Sequence, residues 1–114
     1  MQRIITDNKY AIESLCRHYH VQSLAVFGSV CTDRFNDESD IDLLISFQPM
    51  DFGDYADYYF ELTDKFEELF HRRVDLVTEK SLSNPYFIKS VNHTKKVLFN
   101  SISDVPVVIE EELF

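Results

Sequence analysis

The chain of 114 residues is poor in cysteine, glycine and proline, with two, two and three of them respectively. Its cysteines, Cys16 and Cys31, are too few for a disulfide framework and too unpatterned for a zinc site, so we expect both to be reduced thiols. No stretch approaches the roughly 18 consecutive apolar residues of a membrane span, and the first seven residues lack the apolar core of a signal peptide. The sequence therefore predicts a cytoplasmic protein without a membrane partner.

Positive charge is also scarce. Eleven Lys and Arg residues face twenty Asp and Glu residues, which gives a formal net charge of −9. Binding to free nucleic acid depends on basic side chains that replace the counterions of phosphates, so an enzyme working on free DNA or RNA is disfavoured. An acidic surface suits a basic protein partner instead.

Several common catalytic motifs are missing. The chain has no Gly-rich Walker loop, no Gly-x-Ser-x-Gly elbow and no credible Ser-His-Asp set. None of its four histidines forms the i, i+4 pair of a helical metal site, and we interpret all four as surface or packing residues: His18, His20, His71 and His93. Any catalysis is therefore expected to depend on a metal held by other residues.

The most informative stretch of the sequence runs from residue 28 to residue 42. A Gly28-Ser29 turn ends the apolar run 24–27, and Asp40 and Asp42 stand at the start of the apolar run 43–45. Strand side chains alternate between faces, so the two carboxylates should point the same way, roughly 7 Å apart along the strand. Like charges this close repel each other unless a cation lies between them, and oxygen ligands suit Mg²⁺ or Mn²⁺. In isolation the same pattern would favour a polar turn and the solvated face of an edge strand.

A third acid strengthens the functional interpretation. Asp75 lies between Val74 and Leu76, in a short segment that should occupy the interior of a sheet. Burying an unpaired carboxylate costs several kcal/mol, so an acid at this position needs a reason. Two adjacent strands that present all three acids to one face would make a cup for two metal ions about 3.5 to 4 Å apart. The backbone N–H groups of the turn and the Ser29 hydroxyl could cradle phosphate oxygens.

This combination resembles the nucleotidyltransferase superfamily: Gly28-Ser29, a ten-residue gap, Asp40-x-Asp42 and the later strand acid Asp75. The small single-domain size is similar to its minimal nucleotidyltransferase (MNT) branch, and the resemblance covers roughly residues 8–99. It implies an α/β nucleotidyltransferase fold, with helices packed on a small mixed sheet, and it implies Mg²⁺ (or Mn²⁺) and ATP. By resemblance, Asp40 and Asp42 bind metal, Asp75 binds metal and acts as the catalytic base, and Gly28 and Ser29 bind phosphate.

The sequence departs from the family pattern directly after the turn. Many relatives carry a small-Arg-Gly triplet where this chain has Cys31-Thr32-Asp33. The role of that arginine is then unfilled or passes to Arg34, and we take Arg34 and Ser39 as further candidate nucleotide contacts. Arg73, on the same strand face as Asp75, is another candidate cation. Both arginines have a plain salt bridge as their alternative.

The resemblance also implies a partner. Minimal nucleotidyltransferases of this kind are often paired with a helical HEPN-type ribonuclease as a toxin–antitoxin system, in which the transferase attaches AMP to a tyrosine of the toxin. The leading hypothesis is therefore an antitoxin that transfers AMP from ATP to a hydroxyl of its partner. The alternatives are a non-catalytic antitoxin that neutralises a basic partner, and a nucleotidyltransferase with a small-molecule acceptor.

The remaining sequence predicts scaffold, with residues 1–100 as the domain and residues 101–114 as a tail that covers a sheet edge, docks on a partner or is disordered. Helices are predicted over residues 8–19, with Asp7 as N-cap, over 52–70, and from Pro85 onward; a last strand is predicted over 96–99. The other face of the helix 52–70 is acidic and includes Tyr58, and it is expected to be either a solvated face or an interaction surface. The expected apolar faces of the last two helices are Phe52, Tyr55, Ala56, Tyr59, Leu62, Phe66, Leu69 and Phe70, and Tyr86, Phe87, Ile88 and Val91.

Overall fold

The computed structural model describes residues 2–101. The tail predicted over residues 101–114 lies outside this range except for Ser101, so its form stays a prediction. The described helices are α1 (Arg3–Thr6), α2 (Lys9–His18), α3 (Phe52–Phe70) and α4 (Pro85–Thr94). The described strands are β1 (Val21–Phe27), β2 (Ile41–Phe47), β3 (Val74–Thr78) and β4 (Lys96–Asn100), and short 3₁₀ segments span Gly28–Cys31 and Glu79–Ser81.

The four strands form one mixed sheet in the order β3-β2-β1-β4. β1 runs antiparallel to both β2 and β4, whereas β2 and β3 are parallel and are connected by the long helix α3. A parallel pair needs a crossover connection of this kind, because a tight turn can join only antiparallel strands. The mixed sheet with packed helices that the sequence predicts is therefore confirmed.

The two faces of the sheet carry different helices. In β2, Ile41, Leu43 and Ile45 point into the larger core, which α2 and α3 complete. The alternate residue Leu44 joins a smaller cluster with Ala25, Phe27, Val91 of α4 and the half-buried Val77. Because side chains alternate along a strand, Asp42 shares the face of Leu44 and α4. None of the buried residues in the described range is polar or charged.

Capping residues define the starts of α3 and α4. The Asp51 carboxylate accepts a hydrogen bond from the Asp54 N–H at 2.9 Å, and α3 then runs over the predicted residues until His71 adopts a left-handed conformation with φ of 55°. The Asn84 side chain accepts from the N–H groups of Tyr86 and Phe87 at 2.9 and 3.3 Å. An N-cap of this type satisfies N–H groups that the first helical turn leaves free. The predicted starts of both helices are confirmed.

Some local predictions are wrong. Asp7 does not cap α2 but ends the four-residue helix α1, and the cap position before α2 belongs to Asn8, whose side-chain amide donates to the Ile4 carbonyl. Tyr58 is not on a solvated face, because its ring contacts those of Tyr19 and His20 with centroids 5.7 Å apart in both cases. A helical repeat identifies one face of a helix, but not which neighbouring element reaches that face.

The same limit explains two exposed aromatic residues that the helical repeat assigned to the core. Phe52 is 84% exposed and Tyr86 is 86% exposed. Each lies in the first turn of its helix, whereas Leu62, Phe66 and Val91, farther along, are fully buried. Across residues 2–101, no helix is both long enough and apolar enough to cross a membrane. Cys16 and Cys31 are both free thiols.

Candidate active site

The register of the two parallel strands brings two of the predicted acids together. Asp42 of β2 is paired directly with Asp75 of β3. Residues paired in this way on adjacent strands send their side chains to the same face of the sheet. Asp42 is half-buried and Asp75 is exposed, so the pair lies at the boundary between the protein and solvent. The predicted convergence of acids from two adjacent strands is confirmed for these two residues.

The third acid, Asp40, is placed less tightly than the sequence predicts. β2 begins at Ile41, so Asp40 precedes the strand and strand alternation does not fix its side chain. Within residues 2–101, no three acidic, histidine or cysteine side chains lie close enough together to hold a metal ion. The predicted cup is therefore not closed in this conformation, and mutual repulsion among three carboxylates opposes its closure in the absence of a cation.

The electrostatics of Asp42 nevertheless fit a cation site. Burial, together with the charges of Asp75 and Asp40, raises the pKa of Asp42 from 3.8 to about 6. A carboxyl group in this position is costly to ionise, and a divalent cation bound beside it would reverse that cost. The donors are carboxylate oxygens, which Mg²⁺ and Mn²⁺ prefer. The residues present thus suit a hard divalent ion.

Gly28 occupies a position that no other residue could take without strain. It lies directly after Phe27, the residue that pairs with Asp42 across β1 and β2, and its φ of 77° falls in the left-handed region. A Cβ atom at this position would overlap the Asp42 Oδ2 atom. The neighbour that requires a glycine at this position is therefore the Asp42 carboxylate.

The turn is also held from outside by α4. The Gly28 N–H donates to the Thr94 hydroxyl at 3.2 Å, and this hydroxyl lies 3.2 Å from the Ser90 carbonyl, to which it donates. The Gly28 N–H is therefore already engaged and does not contribute to a phosphate cradle in this conformation. Ser29 is half-buried, and its carbonyl accepts from both the N–H and the hydroxyl of Thr32 at 2.9 Å. Thr94 is 66 residues from Gly28, and no local sequence signal identifies it.

Arg72 anchors the loop that leads into Asp40. Its Nη1 atom donates to the Asn36 and Ser39 carbonyls at 2.9 and 3.0 Å. Its guanidinium group also lies over the Phe35 ring, 4.6 Å from the centroid. The Nε atom is buried without a hydrogen-bond partner. Arg72 thus holds this loop through two of its carbonyls and one of its rings, and the sequence interpretation, which favoured Arg73, missed it.

The other polar candidates have structural partners of their own. The Ser39 hydroxyl accepts from the Asn36 N–H at 3.1 Å, which commits Ser39 to the fold of the loop. Arg34 is exposed and its backbone N–H donates to the Thr32 hydroxyl. Arg73 is exposed and its carbonyl accepts from the Ile41 N–H at 3.0 Å, which extends the pairing of β2 and β3. Among the described residues neither arginine forms a salt bridge.

Tyr59 is a further neighbour of the acids that the sequence interpretation assigned to packing alone. Its hydroxyl donates to the Leu76 carbonyl at 2.5 Å. Its pKa is raised by burial, then by the negative charge of Asp75 and by Tyr55. The tyrosine therefore connects α3 to the strand that carries Asp75. Its place in an apolar helical repeat concealed this contact from a sequence pattern.

Comparison with known families agrees with this arrangement of strands and acids. The family model described as "Nucleotidyltransferase domain" matches residues 9–98. The chain belongs to this nucleotidyltransferase family. A protein of Methanocaldococcus jannaschii named "Putative protein adenylyltransferase" is 38% identical over 73 residues, which cover 64% of this chain and 72% of that protein.

Solved structures give the same assignment. A minimal nucleotidyltransferase, named as putative, is 30% identical with a TM-score of 0.63 and covers 81% of this chain and 90% of that one. A crystal structure of a toxin–antitoxin with AMP-PNP gives 26% identity, a TM-score of 0.64, and coverage of 85% and 77%. An MNT antitoxin in complex with the tri-AMPylated Shewanella oneidensis HEPN toxin gives 24% identity, a TM-score of 0.59, and coverage of 87% and 75%, which supports the fold alone. The resemblance to minimal nucleotidyltransferases is therefore confirmed.

Proposed function

We propose that this nucleotidyltransferase transfers AMP from ATP, with Mg²⁺ or Mn²⁺, to a hydroxyl group of a HEPN-type partner protein and acts as its antitoxin. The observation that carries the proposal is the direct pairing of Asp42 with Asp75 beside a turn whose glycine admits no side chain. Two carboxylates this close together supply oxygen donors of the kind that a cation bound to a triphosphate requires.

The proposed reaction is an in-line substitution at the α-phosphorus of ATP. The acceptor oxygen forms a bond to this phosphorus, the bond to the bridging oxygen breaks, and pyrophosphate leaves. Asp75, which is exposed on an edge strand, accepts the proton of the acceptor hydroxyl. Asp42, Asp75 and Asp40 would hold the divalent cation, which offsets the charge of the phosphates when bound. The turn at Gly28, which carries no side chain, would let the phosphate chain approach, and Ser29 would contact it.

The names of the similar proteins support both the transferred group and the acceptor class. The archaeal relative is named an adenylyltransferase of proteins, and one solved neighbour is a toxin–antitoxin with AMP-PNP. Another neighbour is an MNT antitoxin in complex with a tri-AMPylated HEPN toxin. The formal net charge of −9 adds that the partner should be basic, since opposite charges favour association.

A transfer assay tests the proposal. The purified chain is incubated with Mg²⁺ and with the protein encoded by the neighbouring gene, using ATP labelled at either the α- or the γ-phosphate. We expect label on the partner from α-labelled ATP only, because pyrophosphate leaves with the γ-phosphate. Asp42→Asn and Asp75→Asn should lower the rate by several orders of magnitude, as for loss of a metal ligand. Asp7→Asn, which changes an exposed acid at the end of α1, should retain full activity.

The same variants separate the enzyme from a binding antitoxin. The second candidate is supported by exposed carboxylates of α3 that form no ion pair in the described part of the chain, such as Asp57 and Glu61. If Asp42→Asn still neutralises the partner in cells and no label is transferred by the parent chain, binding alone is the function. If the variant loses both transfer and neutralisation, catalysis is required.

A further inference from the structure

An open aromatic groove lies between the first half of α3 and the edge strand β3. It has a volume of about 430 Å³. We call it the α3–β3 groove, and its main lining residues are Phe52, Ala56, Tyr59, Phe60, Leu76 and Thr78. Phe52, Ala56 and Phe60 recur every four residues, so they form one stripe along the helix. The groove is therefore a continuous surface and not a set of isolated side chains.

The aromatic side chains of this groove are unusually exposed. Phe52 is 84% exposed and Phe60 is 66% exposed, although burial of a phenylalanine side chain is favourable. The ring of Phe60 has one aromatic neighbour, Tyr59, at a centroid distance of 5.3 Å. Large apolar patches on a protein surface are typical of sites where another protein binds.

The groove adjoins the candidate catalytic base. Leu76 points to the face opposite Asp75, but Val77, which also lines the groove, lies two residues beyond Asp75 on the same face, about 7 Å along the strand. The negative charge of Asp75 also acts on Tyr59, another lining residue. β3 is an outer strand of the sheet, so a partner that lies against it meets no further strand of the described residues. The Tyr59 hydroxyl already occupies the Leu76 carbonyl, which favours side-chain docking over addition of a new strand. A protein bound here would have its own surface beside Asp75.

The rim of the groove is acidic. Asp57, Glu61 and Asp64 are exposed and follow one another at intervals of four and three residues on α3, adjacent to the aromatic stripe. None of them forms an ion pair with another described residue; on this helix the ion pair observed joins Lys65 and Glu68. Such carboxylates complement Lys or Arg side chains on a partner, whereas a second copy of this chain, with a net charge of −9, would be repelled.

We propose that the α3–β3 groove is the docking surface for the basic protein that receives AMP. The partner places apolar side chains between Phe52 and Phe60 and basic side chains against the acidic rim, and this orientation brings its acceptor hydroxyl to Asp75. The identity of the partner as the acceptor rests on the proposed function, whereas the location of the surface does not.

Calorimetric titration with the purified protein encoded by the neighbouring gene, the same partner as in the transfer assay, tests the location. Phe52→Ser and Phe60→Ser should each weaken binding about 30-fold or more, as expected for aromatic residues at the centre of an interface. Tyr10→Ser is the matched control, because Tyr10 is 83% exposed but lies on α2, away from the groove. Its affinity should stay within threefold of the parent. Thermal shifts with Mg²⁺ and ATP confirm that each variant is folded and binds nucleotide.

The rim has its own test. Asp57→Lys combined with Glu61→Lys should weaken binding and reduce its dependence on salt, because screening then removes less attraction. Unchanged affinity in both the aromatic and the charge variants would overturn the proposal. So would a stable dimer of the parent chain, in sedimentation, that Phe52→Ser and Phe60→Ser dissociate, because the groove would then bind a second copy.

The outcome for docking remains separable from the outcome for catalysis. If the parent chain binds the partner through this groove but transfers no AMP, the docking surface stands and the proposed function fails. If Phe52→Ser and Phe60→Ser bind and modify the partner like the parent, the function stands and the docking surface is wrong.

Discussion

Gly28 and Asp42 constrain each other at the centre of the candidate site. The glycine takes a φ of 77°, and any Cβ atom would meet the carboxylate that faces it. The same carboxylate is half-buried and lies beside Asp75, so its position and its charge both depend on the surrounding backbone. Substitutions at these two residues therefore probe different properties, one of shape and one of charge.

We predict that Gly28→Ala displaces Asp42. A non-glycine residue in this conformation costs about 1–3 kcal/mol, and the overlap with the carboxylate must be relieved by movement. A misplacement of about 1 Å can lower a rate roughly 100-fold, so we expect AMP transfer to fall by about that factor together with a lower melting temperature. Both are measured with purified protein, by the labelled-ATP assay and by circular dichroism.

The second glycine supplies the control for this prediction. Gly53 lies in the first turn of α3, and a Cβ there would find only ordinary contact, 3.6 Å from Asp51 Oδ1. Gly53→Ala should leave transfer unchanged and raise stability slightly, since alanine favours helix by about 0.5–1 kcal/mol. Equal effects of the two substitutions would contradict the special role of Gly28.

We predict that Asp42→Asn stabilises the chain at neutral pH when divalent ions are removed by EDTA. The pKa of Asp42 is about 6 in the folded chain, whereas the ordinary value of 3.8 applies to the unfolded chain. The folded state therefore binds the proton more tightly than the unfolded state. Protonation of Asp42 therefore stabilises the folded state fully below pH 3.8, and this stabilisation is lost as the pH rises through 6. Asparagine avoids this loss, and we expect a gain of about 1 kcal/mol at pH 7.5, reduced by solvent screening of the half-exposed carboxylate.

Urea unfolding followed by circular dichroism measures this difference at pH 7.5 and pH 4. The gain of Asp42→Asn should shrink towards pH 4, where Asp42 carries a proton for most of the time. Asp57→Asn should show little change at either pH, because Asp57 is exposed on α3. If Asp42→Asn is less stable than the parent at pH 7.5, then burial and the charges of Asp75 and Asp40 do not destabilise the ionised Asp42 carboxylate.

At the level of elements, the loop before β2 depends on a residue from the start of another strand. Arg72 precedes β3 and binds the carbonyls of Asn36 and Ser39 while it stacks on Phe35. Because Ser39 precedes Asp40, this contact limits the positions that the third acid can reach. The contacts of Arg72 therefore connect the start of β3 with the loop before β2, in addition to the backbone hydrogen bonds between these two strands.

We predict that Arg72→Ala weakens the apparent affinity for Mg²⁺ in the transfer reaction by about tenfold, because Asp40 loses its support; this corresponds to about 1.4 kcal/mol. Arg72→Lys should recover only part of this affinity, since lysine cannot donate in a planar fork or stack in the same way. Arg73→Ala is the control, because that side chain is exposed. Titration of activity with Mg²⁺ measures the effect, and equal affinities in all four proteins would exclude a positioning role.

The elements also show what a sequence pattern can and cannot predict. Both ends of α3 are predicted correctly, because its nineteen residues show the helical repeat several times. α1 is not predicted, because four residues are too few to show a helical repeat. Strand alternation and adjacency predict that Asp42 and Asp75 share a face. The register that pairs them, and the contacts of Arg72 and Thr94 with distant loops, depend on residues 33 to 66 positions apart. No local pattern contains that information.

At the scale of the whole molecule, the excess of acidic residues predicts that free nucleic acid does not bind. With a formal net charge of −9, the chain would repel a phosphate backbone wherever basic side chains are not concentrated. We expect no binding of labelled single-stranded RNA or duplex DNA at micromolar protein in 0.15 M salt, measured by fluorescence anisotropy. Specific binding under these conditions would reopen the possibility of a nucleic-acid acceptor.

The buried core indicates the extent of the domain. All buried apolar residues of the described structure lie between Ile5 and Phe99, and β4 is the last described strand of the sheet. A chain that ends at Ser101 should therefore fold alone, with one cooperative transition and a melting temperature within a few degrees of the full chain. Circular dichroism is the suitable probe, since the protein has no tryptophan.

The outer strand β4 makes this test discriminating. Val97 of β4, together with Ile5 and Ile12, lines a second apolar groove of about 240 Å³ near the point where the truncated chain would end. If residues 102–114 contribute to the core, their removal exposes apolar surface and lowers the melting temperature by more than about 10 °C, which corresponds to about 2 kcal/mol or more for a chain of this size. Retention of both stability and ATP-dependent thermal shift would confirm the boundary near residue 100, because the nucleotide site depends on strands that all lie before it.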